Sequence, residues 1–336
     1  MIRNSLISVV YLLVTLAHAD LNLAPKADAI IDDFLNQRYR NAKESIRTIL
    51  ADDPQNIDVL FMYLNVYQIE LVDYESYILH GREFLTSVDS VITVFEKHLA
   101  KNAVRRDSAK CLFYLGTTHL MKALVLAKVE EWLPAVRYAM SASKQLKRAQ
   151  ALDTTLYEAC YGLGLYNYYV GQSFRWVPFV KDKYEQGLAE IVRVANSPSP
   201  MSYMAKNSIA WIYIEQEKYA KADSAIASAL RQYPDNTIFL RIKARVELLR
   251  KNYNEGAALG RRLAELSGQR DPVNWSDLMD GYQVVVASLD AMGKKKECLG
   301  VIRTVEGLNI PCEAKKIEYV QSHLDYIMST KGKYEK

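Results

Sequence analysis

The stretch Ala210–Asn236, AWIYIEQEKYAKADSAIASALRQYPDN, is followed one unit later by Ala244–Leu259, ARVELLRKNYNEGAAL. Tyr219-x-x-Ala222 returns as Tyr253-x-x-Gly256 and Ala210 returns as Ala244, both after 34 residues. The apolar residues in between recur at helical spacing rather than in alternation. Tyr233-Pro234 closes the unit at a place where a proline's missing amide costs nothing. Small side chains at a crossing let two helix axes approach, and the ring three residues earlier covers the turn between them. The unit therefore reads as a helix, a tight turn and an antiparallel second helix.

Tyr213, Tyr219-x-x-Ala222, Ile226, Ala229 and Pro234 have the offsets of the tetratricopeptide pattern, and residues 203–268 resemble two consecutive repeats of that family. Weaker copies surround them. Tyr39-x-x-Ala42 with Ile46 and Pro54 matches a second helix, and Ala42 precedes Pro54 by the same distance as Ala222 precedes Pro234. Leu115-Gly116 and Leu163-Gly164 match first helices, while Trp132-x-x-Ala135, Tyr184-x-x-Gly187 and Lys295-x-x-Cys298 match the starts of second helices. Gly116 and Ala135 are seven residues further apart than Ala210 and Ala222, about two helical turns, so longer helices keep their faces in register.

The resemblance implies an all-α, right-handed superhelix of helix-turn-helix units. Residues 20–336 form a single repeat domain on this reading, with the clearest units at 203–236 and 237–268. Apolar periodicity and caps predict helices at 24–36, 39–51, 56–71, 75–100, 105–129, 132–151, 154–170, 181–196, 200–216, 219–232, 236–250, 253–267, 273–292, 294–306 and 312–329. The last, with Glu313, Lys315, Lys316, Glu318 and Asp325, reads as a polar capping helix. The central segment is also faintly similar to a tetratricopeptide branch that includes outer-membrane inclusion-clearance proteins and exported bacterial relatives. Gly162-Leu-Gly-Leu-Tyr166, the aromatic and proline-bearing run to Phe179, and Glu185-Gln-Gly-Leu188 carry that likeness.

The amino terminus predicts export. Arg3 is the only charge before the apolar run Leu6–Ala17, and Ala17-His18-Ala19 gives a small-x-small cleavage pattern, so residues 1–19 read as a signal peptide cut after Ala19. The run is shorter than the ~20 residues that span a bilayer. Periplasmic localisation is the expectation, with secretion as the alternative.

Charge and cysteine content narrow the function classes. A formal net charge of +4 with no basic stripe does not suit a nucleic-acid binder. Cys111, Cys160, Cys298 and Cys312 are too few and too scattered for a disulfide framework or a zinc site. A Cys298–Cys312 bridge and four buried free thiols both remain open at this point.

No catalytic, cofactor or metal site is expected. His80, His98, His119 and His323 lack the i, i+4 spacing of a zinc motif. Ser141-Ala-Ser-Lys144 matches a serine-x-x-lysine nucleophile pattern but has none of the partner elements that accompany it. Gly162, Gly164 and Gly171 stand in a helical context rather than a strand-turn-helix one. Asn274 begins an Asn-x-Ser acceptor that matters only in a eukaryotic secretory route.

The tetratricopeptide resemblance places the binding surface on the inner face, lined by the first helix of each unit. Those positions fall on Tyr161, Leu165 and Tyr168, on Asn207 and Trp211, and on Arg241, Arg245 and Leu248. Arg241 and Arg245 are one turn apart, and a planar guanidinium suits a carboxylate. The chaperone-binding pattern is not reproduced, because Trp211 stands where that subset has a second asparagine. Gly171–Phe179 breaks the helix and carries Phe174, Trp176 and Phe179, which serve either as packing or as a ligand surface. The expectation is an exported non-enzymatic adaptor for a protein or peptide partner in an envelope complex, with peripheral membrane association left open. The alternative is a small-molecule, glycan or lipid binder using the aromatic loop 171–180.

Overall fold

The computed structural model describes residues 24–101, 105–173, 181–197, 199 and 201–335. Among them sixteen helices and no strand are found. In chain order these are α1 (Ala24–Leu35), α2 (Tyr39–Asp52), α3 (Ile57–Asp73), α4 (Tyr77–Lys101), α5 (Arg105–Lys128), α6 (Trp132–Leu152), α7 (Tyr157–Ser173) and α8 (Lys181–Ala195). They continue with α9 (Ser202–Glu215), α10 (Tyr219–Gln232), α11 (Thr237–Leu249), α12 (Tyr253–Gly268), α13 (Trp275–Ala291), α14 (Lys295–Glu306), α15 (Cys312–Lys315) and α16 (Glu318–Glu335). The all-α, tetratricopeptide-like fold class is thus established. The leader and the loop with Phe174, Trp176 and Phe179 lie outside the described residues.

One turn geometry unites the pairs. Gln37, Glu75, Glu130, Glu217, Lys251 and Gly293 all have positive φ, between 49° and 71°. Each follows the first helix of a pair and stands two residues before the second, which opens at Tyr39, Tyr77, Trp132, Tyr219, Tyr253 or Lys295. The amide after the left-handed residue reaches back to a carbonyl five residues earlier: Lys218 N to Tyr213 O at 2.8 Å, Asn252 N to Glu247 O at 2.9 Å, Glu131 N to Leu126 O at 2.8 Å. This closure satisfies carbonyls that a helix end would leave open. Five of the six positions are not glycine, although glycine adopts this backbone without a Cβ penalty. Between pairs, Asn236 caps α11 by accepting from the amides of Ile238 and Phe239, and Asn56 accepts from Val59 at the start of α3.

Spacing differences are absorbed by helix length. α5 and α6 have 24 and 21 residues against 14 and 14 for α9 and α10, while the turn keeps its form.

The helices divide into two compact units. One holds the chain up to Glu70 together with His80–Ile209, the other Leu71–Leu79 together with Ala210–Lys336, and the boundaries fall within α3, α4 and α9. In the first unit α7 and α8 cross antiparallel at Gly164 and Gly187, where a Cβ on Gly187 would stand 2.5 Å from the Gly164 carbonyl. The second unit repeats the device between α12 and α13, where a Cβ on Gly281 would stand 2.6 Å from the Gly260 carbonyl. Ala222, Ala210 and Ala244 are fully enclosed, as small residues at crossings should be. The second unit's core gathers Met279, Val285, Ile302, Val320 and Ile327.

The expected capping helix is divided at Lys316 and Ile317 into α15 and α16, and α16 runs on to Glu335. It buries Val320, His323, Ile327 and Thr330 and leaves Glu318, Ser322 and Asp325 exposed, which is how an end helix closes a core. The four thiols are free: Cys111, Cys160 and Cys298 are buried, and Cys312 is exposed.

Candidate functional site

The left-handed residue of each turn gives the pairs a common register. Ten residues before it stand Ala27, Asn65, Leu120, Asn207, Arg241 and Gln283, all buried. Four of the six are polar, which the interior of a helix pair does not require. Asn207 is fully enclosed, and neither its Oδ1 nor its Nδ2 has a hydrogen-bond partner within the protein. Asn65 donates to Phe61 O at 2.6 Å but leaves Oδ1 unmet, and Gln283 leaves Oε1 unmet. Gln68, one turn after Asn65, has both amide atoms unmet. An enclosed polar atom without a partner costs about 1–3 kcal/mol, so each calls for a bound water or a group from outside the chain.

Six residues before the same mark stand Trp211 and Arg245, both partly exposed. Tyr161 and Tyr168 behave differently. The Tyr161 hydroxyl lies 2.7 Å from Ser208 Oγ with its ring wholly buried, and burial pushes its phenol far above the ordinary value. Tyr168 stacks on Tyr184 with ring centres 4.7 Å apart and meets Tyr169 edge-on. These two rings pack α7 against its neighbours within the first unit. Trp176 lies outside the described residues.

Arg241 and Arg245 have carboxylates of their own. The Arg241 side chain is 2% exposed and lies 3.0 Å from Asp277, with its guanidinium over the Tyr319 ring. Arg245 pairs with Asp280 and keeps 22% of its side chain exposed. Asp280 also accepts from the Tyr319 hydroxyl at 3.1 Å and lies 3.2 Å from His323 Nε2. His323 Nδ1 sits 2.6 Å from the Tyr319 carbonyl, which can only accept, so that nitrogen carries a proton. The cluster extends through Asn274, which donates to Asp277 at 3.3 Å and to Asp73 at 3.1 Å, and Asp73 pairs with Arg270 at 2.7 Å. All of these residues belong to the second unit.

The two α13 carboxyls differ in charge state. Burial disfavours both anions. At Asp280, Arg245 and His323 outweigh it and hold the carboxyl well below its ordinary value. At Asp277, burial wins over the attraction of Arg241, and the nearby Asp73 adds to it, so the carboxyl is pushed up to about 7.

The first unit holds a serine–histidine contact that sequence reasoning did not anticipate. Ser141 Oγ on α6 lies 3.0 Å from His119 Nδ1 on α5. Burial, aided by Lys122, pushes His119 down to about 4, so its ring is neutral. Lys144, the other half of the serine-x-x-lysine match, is exposed. Both side chains stand on helices whose amides are engaged in the helix ladder, which leaves no donor pair for an oxyanion. No group of histidine, cysteine, aspartate and glutamate side chains among the described residues could hold a metal ion.

No family model matches the chain. No curated protein matches it either. Among solved structures it is similar to the crystal structure of the TPR domain of P58(IPK), at 12% identity over 94% of this chain and 99% of that one, with a TM-score of 0.27. So low a score lends nothing to the assignment, which rests on the turns, crossings and 34-residue register of this chain. Asn65 and Gln283 escaped the sequence reading because their pairs have unequal helix lengths. The aromatic that opens a second helix, Tyr77, would have revealed the first of them, since Asn65 precedes it by the same twelve residues that separate Asn207 from Tyr219.

Proposed function

We propose that this chain is an exported, non-enzymatic scaffold that holds a protein or peptide partner on its first helices. One observation carries the reading: Trp211 and Arg245 occupy the same register position of successive pairs, are partly exposed, and stand one turn beyond the enclosed polar residues Asn207 and Arg241. A half-buried tryptophan and a partly exposed arginine are the side chains that anchor protein partners. The unmet Asn207 amide, both donor and acceptor, suits the peptide groups of a bound segment. Export is supported by Arg3, the apolar run and Ala17-His18-Ala19. No helix among the described residues is long and apolar enough to cross a membrane.

The test uses a partner captured from the envelope fraction with the wild-type chain. Trp211→Ala and Arg245→Gln should each weaken binding tenfold or more. Asn207→Leu should weaken binding while leaving thermal stability equal or higher, because it removes an unmet polar group from the interior. Full binding by all three variants would end this reading. Mass spectrometry should find Asp20 at the amino terminus of the native protein, and recovery of an intact Met1 would remove export from the proposal.

A further inference from the structure

Among the described residues, four of the seven exposed large apolar side chains stand on one helix. On α6, Trp132, Leu133, Val136 and Met140 are 46%, 77%, 57% and 61% exposed. At 100° per residue they fall on a single outward stripe, while Ala135, Ala142, Leu146 and Ala149 on the other side are buried. The buried side is fixed, since a Cβ on Gly116 of α5 would come within 2.8 Å of Leu146. The stripe is therefore a stable feature of the surface. The equivalent helix of the preceding pair, α4, exposes a single large apolar side chain, Ile78, and otherwise carries Arg82, Glu83, Thr86, Asp89, Ser90 and Thr93 on its open side.

Beyond its apolar half the same face turns basic. Arg137, Lys144, Lys147 and Arg148 are exposed, and α6 contains no aspartate or glutamate from Trp132 to Leu152. Arg148 bonds to Gln145 at 3.1 Å, and none of the four is held in an ion pair among the described residues. The acids nearby are few. Glu130 and Glu131 precede the helix, Glu131 being taken by Arg82 at 3.1 Å, Asp153 follows it and accepts from Thr155 at 2.6 Å, and Glu190 on α8 feels the charge of Lys147.

We infer that this face of α6 is a docking surface for a bilayer that contains anionic phospholipid. A helix laid in the interface buries its apolar side chains ~5–10 Å into the headgroup and acyl boundary, and its basic residues meet lipid phosphates. Trp132 suits that depth, with an apolar body and an indole N–H that stays near water. A second copy of the chain does not fit. Parallel pairing of two α6 stripes sets basic against basic, antiparallel pairing sets basic against apolar, and neither supplies a counter-charge. A fluid surface takes four exposed apolar side chains and a basic end without needing a shaped partner, so the charge and apolarity of the stripe favour a bilayer. This inference does not depend on the partner-binding reading of the first helices.

Vesicle co-sedimentation tests it, with wild type and variants sharing one amino terminus so that only α6 differs. Wild type should sediment with phosphatidylcholine vesicles that include phosphatidylglycerol, and much less with phosphatidylcholine alone. Leu133→Asp combined with Met140→Asp should lose at least tenfold in partitioning, as should Lys144→Gln combined with Lys147→Gln on the anionic vesicles. All four positions are exposed, so circular dichroism and melting should match wild type, and Leu133→Ser with Met140→Ser replaces the first pair if it misfolds. Brominated lipid should quench a component of the tryptophan fluorescence that is missing in Trp132→Phe. Wild type left in the supernatant overturns the inference, as does sedimentation unchanged in the variants. Loss of a protein partner by the Leu133 and Met140 variants, with no vesicle binding by wild type, would make the stripe a protein-docking face instead.

Discussion

Arg245 and Asp280 meet across α11 and α13, where the carboxylate is wholly enclosed and the arginine side chain stays 22% exposed. Two arginines one turn apart on α11 call for negative charge, and α13 supplies it as a full anion at Asp280, while Asp277 faces Arg241 with a carboxyl pushed up to about 7. Arg241 is sealed by that pairing. Arg245 keeps part of its side chain exposed.

Removing one member of a buried pair leaves the other charge stranded, which costs about 3–5 kcal/mol. Asp280→Asn should therefore destabilise the protein strongly in urea melts at neutral pH. Asp277→Asn should cost far less at pH 6, where the raised pKa of Asp277 already keeps much of it protonated and an amide is a close mimic of the neutral acid. Equal losses from the two substitutions would contradict the different charge states assigned to them.

Acid should weaken the protein through Asp280. Its folded pKa lies below the ordinary 3.8, so its contribution is fully present above about pH 4–5 and disappears as pH falls through the folded value. Asp277 acts in the opposite sense. Its folded pKa is raised to about 7, so its contribution is present below about pH 4 and is lost as pH rises towards 7. Urea melts of Asp277→Asn should lack the decline between pH 4 and 7 that wild type shows, and those of a folded Asp280 variant should lack part of the acid loss.

Glu217 has φ of 59°, a conformation that a residue with a Cβ adopts at a cost. Glu217→Gly should raise stability by about 0.5–1 kcal/mol, because the turn is kept by the 2.8 Å bond from Lys218 N to Tyr213 O. Gly293 already stands at the equivalent place, so Gly293→Glu should lower stability by a similar amount in the same thermal melt.

Gly281→Ala should cost about 1–3 kcal/mol by forcing α12 and α13 apart, since the new methyl would stand 2.6 Å from the Gly260 carbonyl. Ala222→Phe should do the same at the α9–α10 crossing, where Ala222 is fully enclosed. Unchanged midpoints in urea would remove these close approaches from the account of the fold.

The sequence alone determined the helices and their pairing, because both depend on local chemistry. Tyr219-x-x-Ala222 and most of its copies mark where second helices start: the structure opens α2, α6, α10, α12 and α14 at Tyr39, Trp132, Tyr219, Tyr253 and Lys295, whereas α8 opens at Lys181, three residues before Tyr184. Lengthened units stayed legible because the turn between α5 and α6 is unaltered and the seven extra residues of α6 make about two helical turns. What faces what was decided only by tertiary structure. Tyr161 and Arg241 carry the offsets of inner-face positions, yet Ser208 closes over one and Asp277, 36 residues further along, seals the other. The α6 stripe was equally hidden. Nothing in the sequence pattern sets Trp132, Leu133, Val136 and Met140 apart as exposed, and the packing of Leu146 against α5 is what turns them outward. Periodicity reports that a helix has an apolar side, but which side is buried depends on the shape of the neighbours, and that information lies far away in the chain.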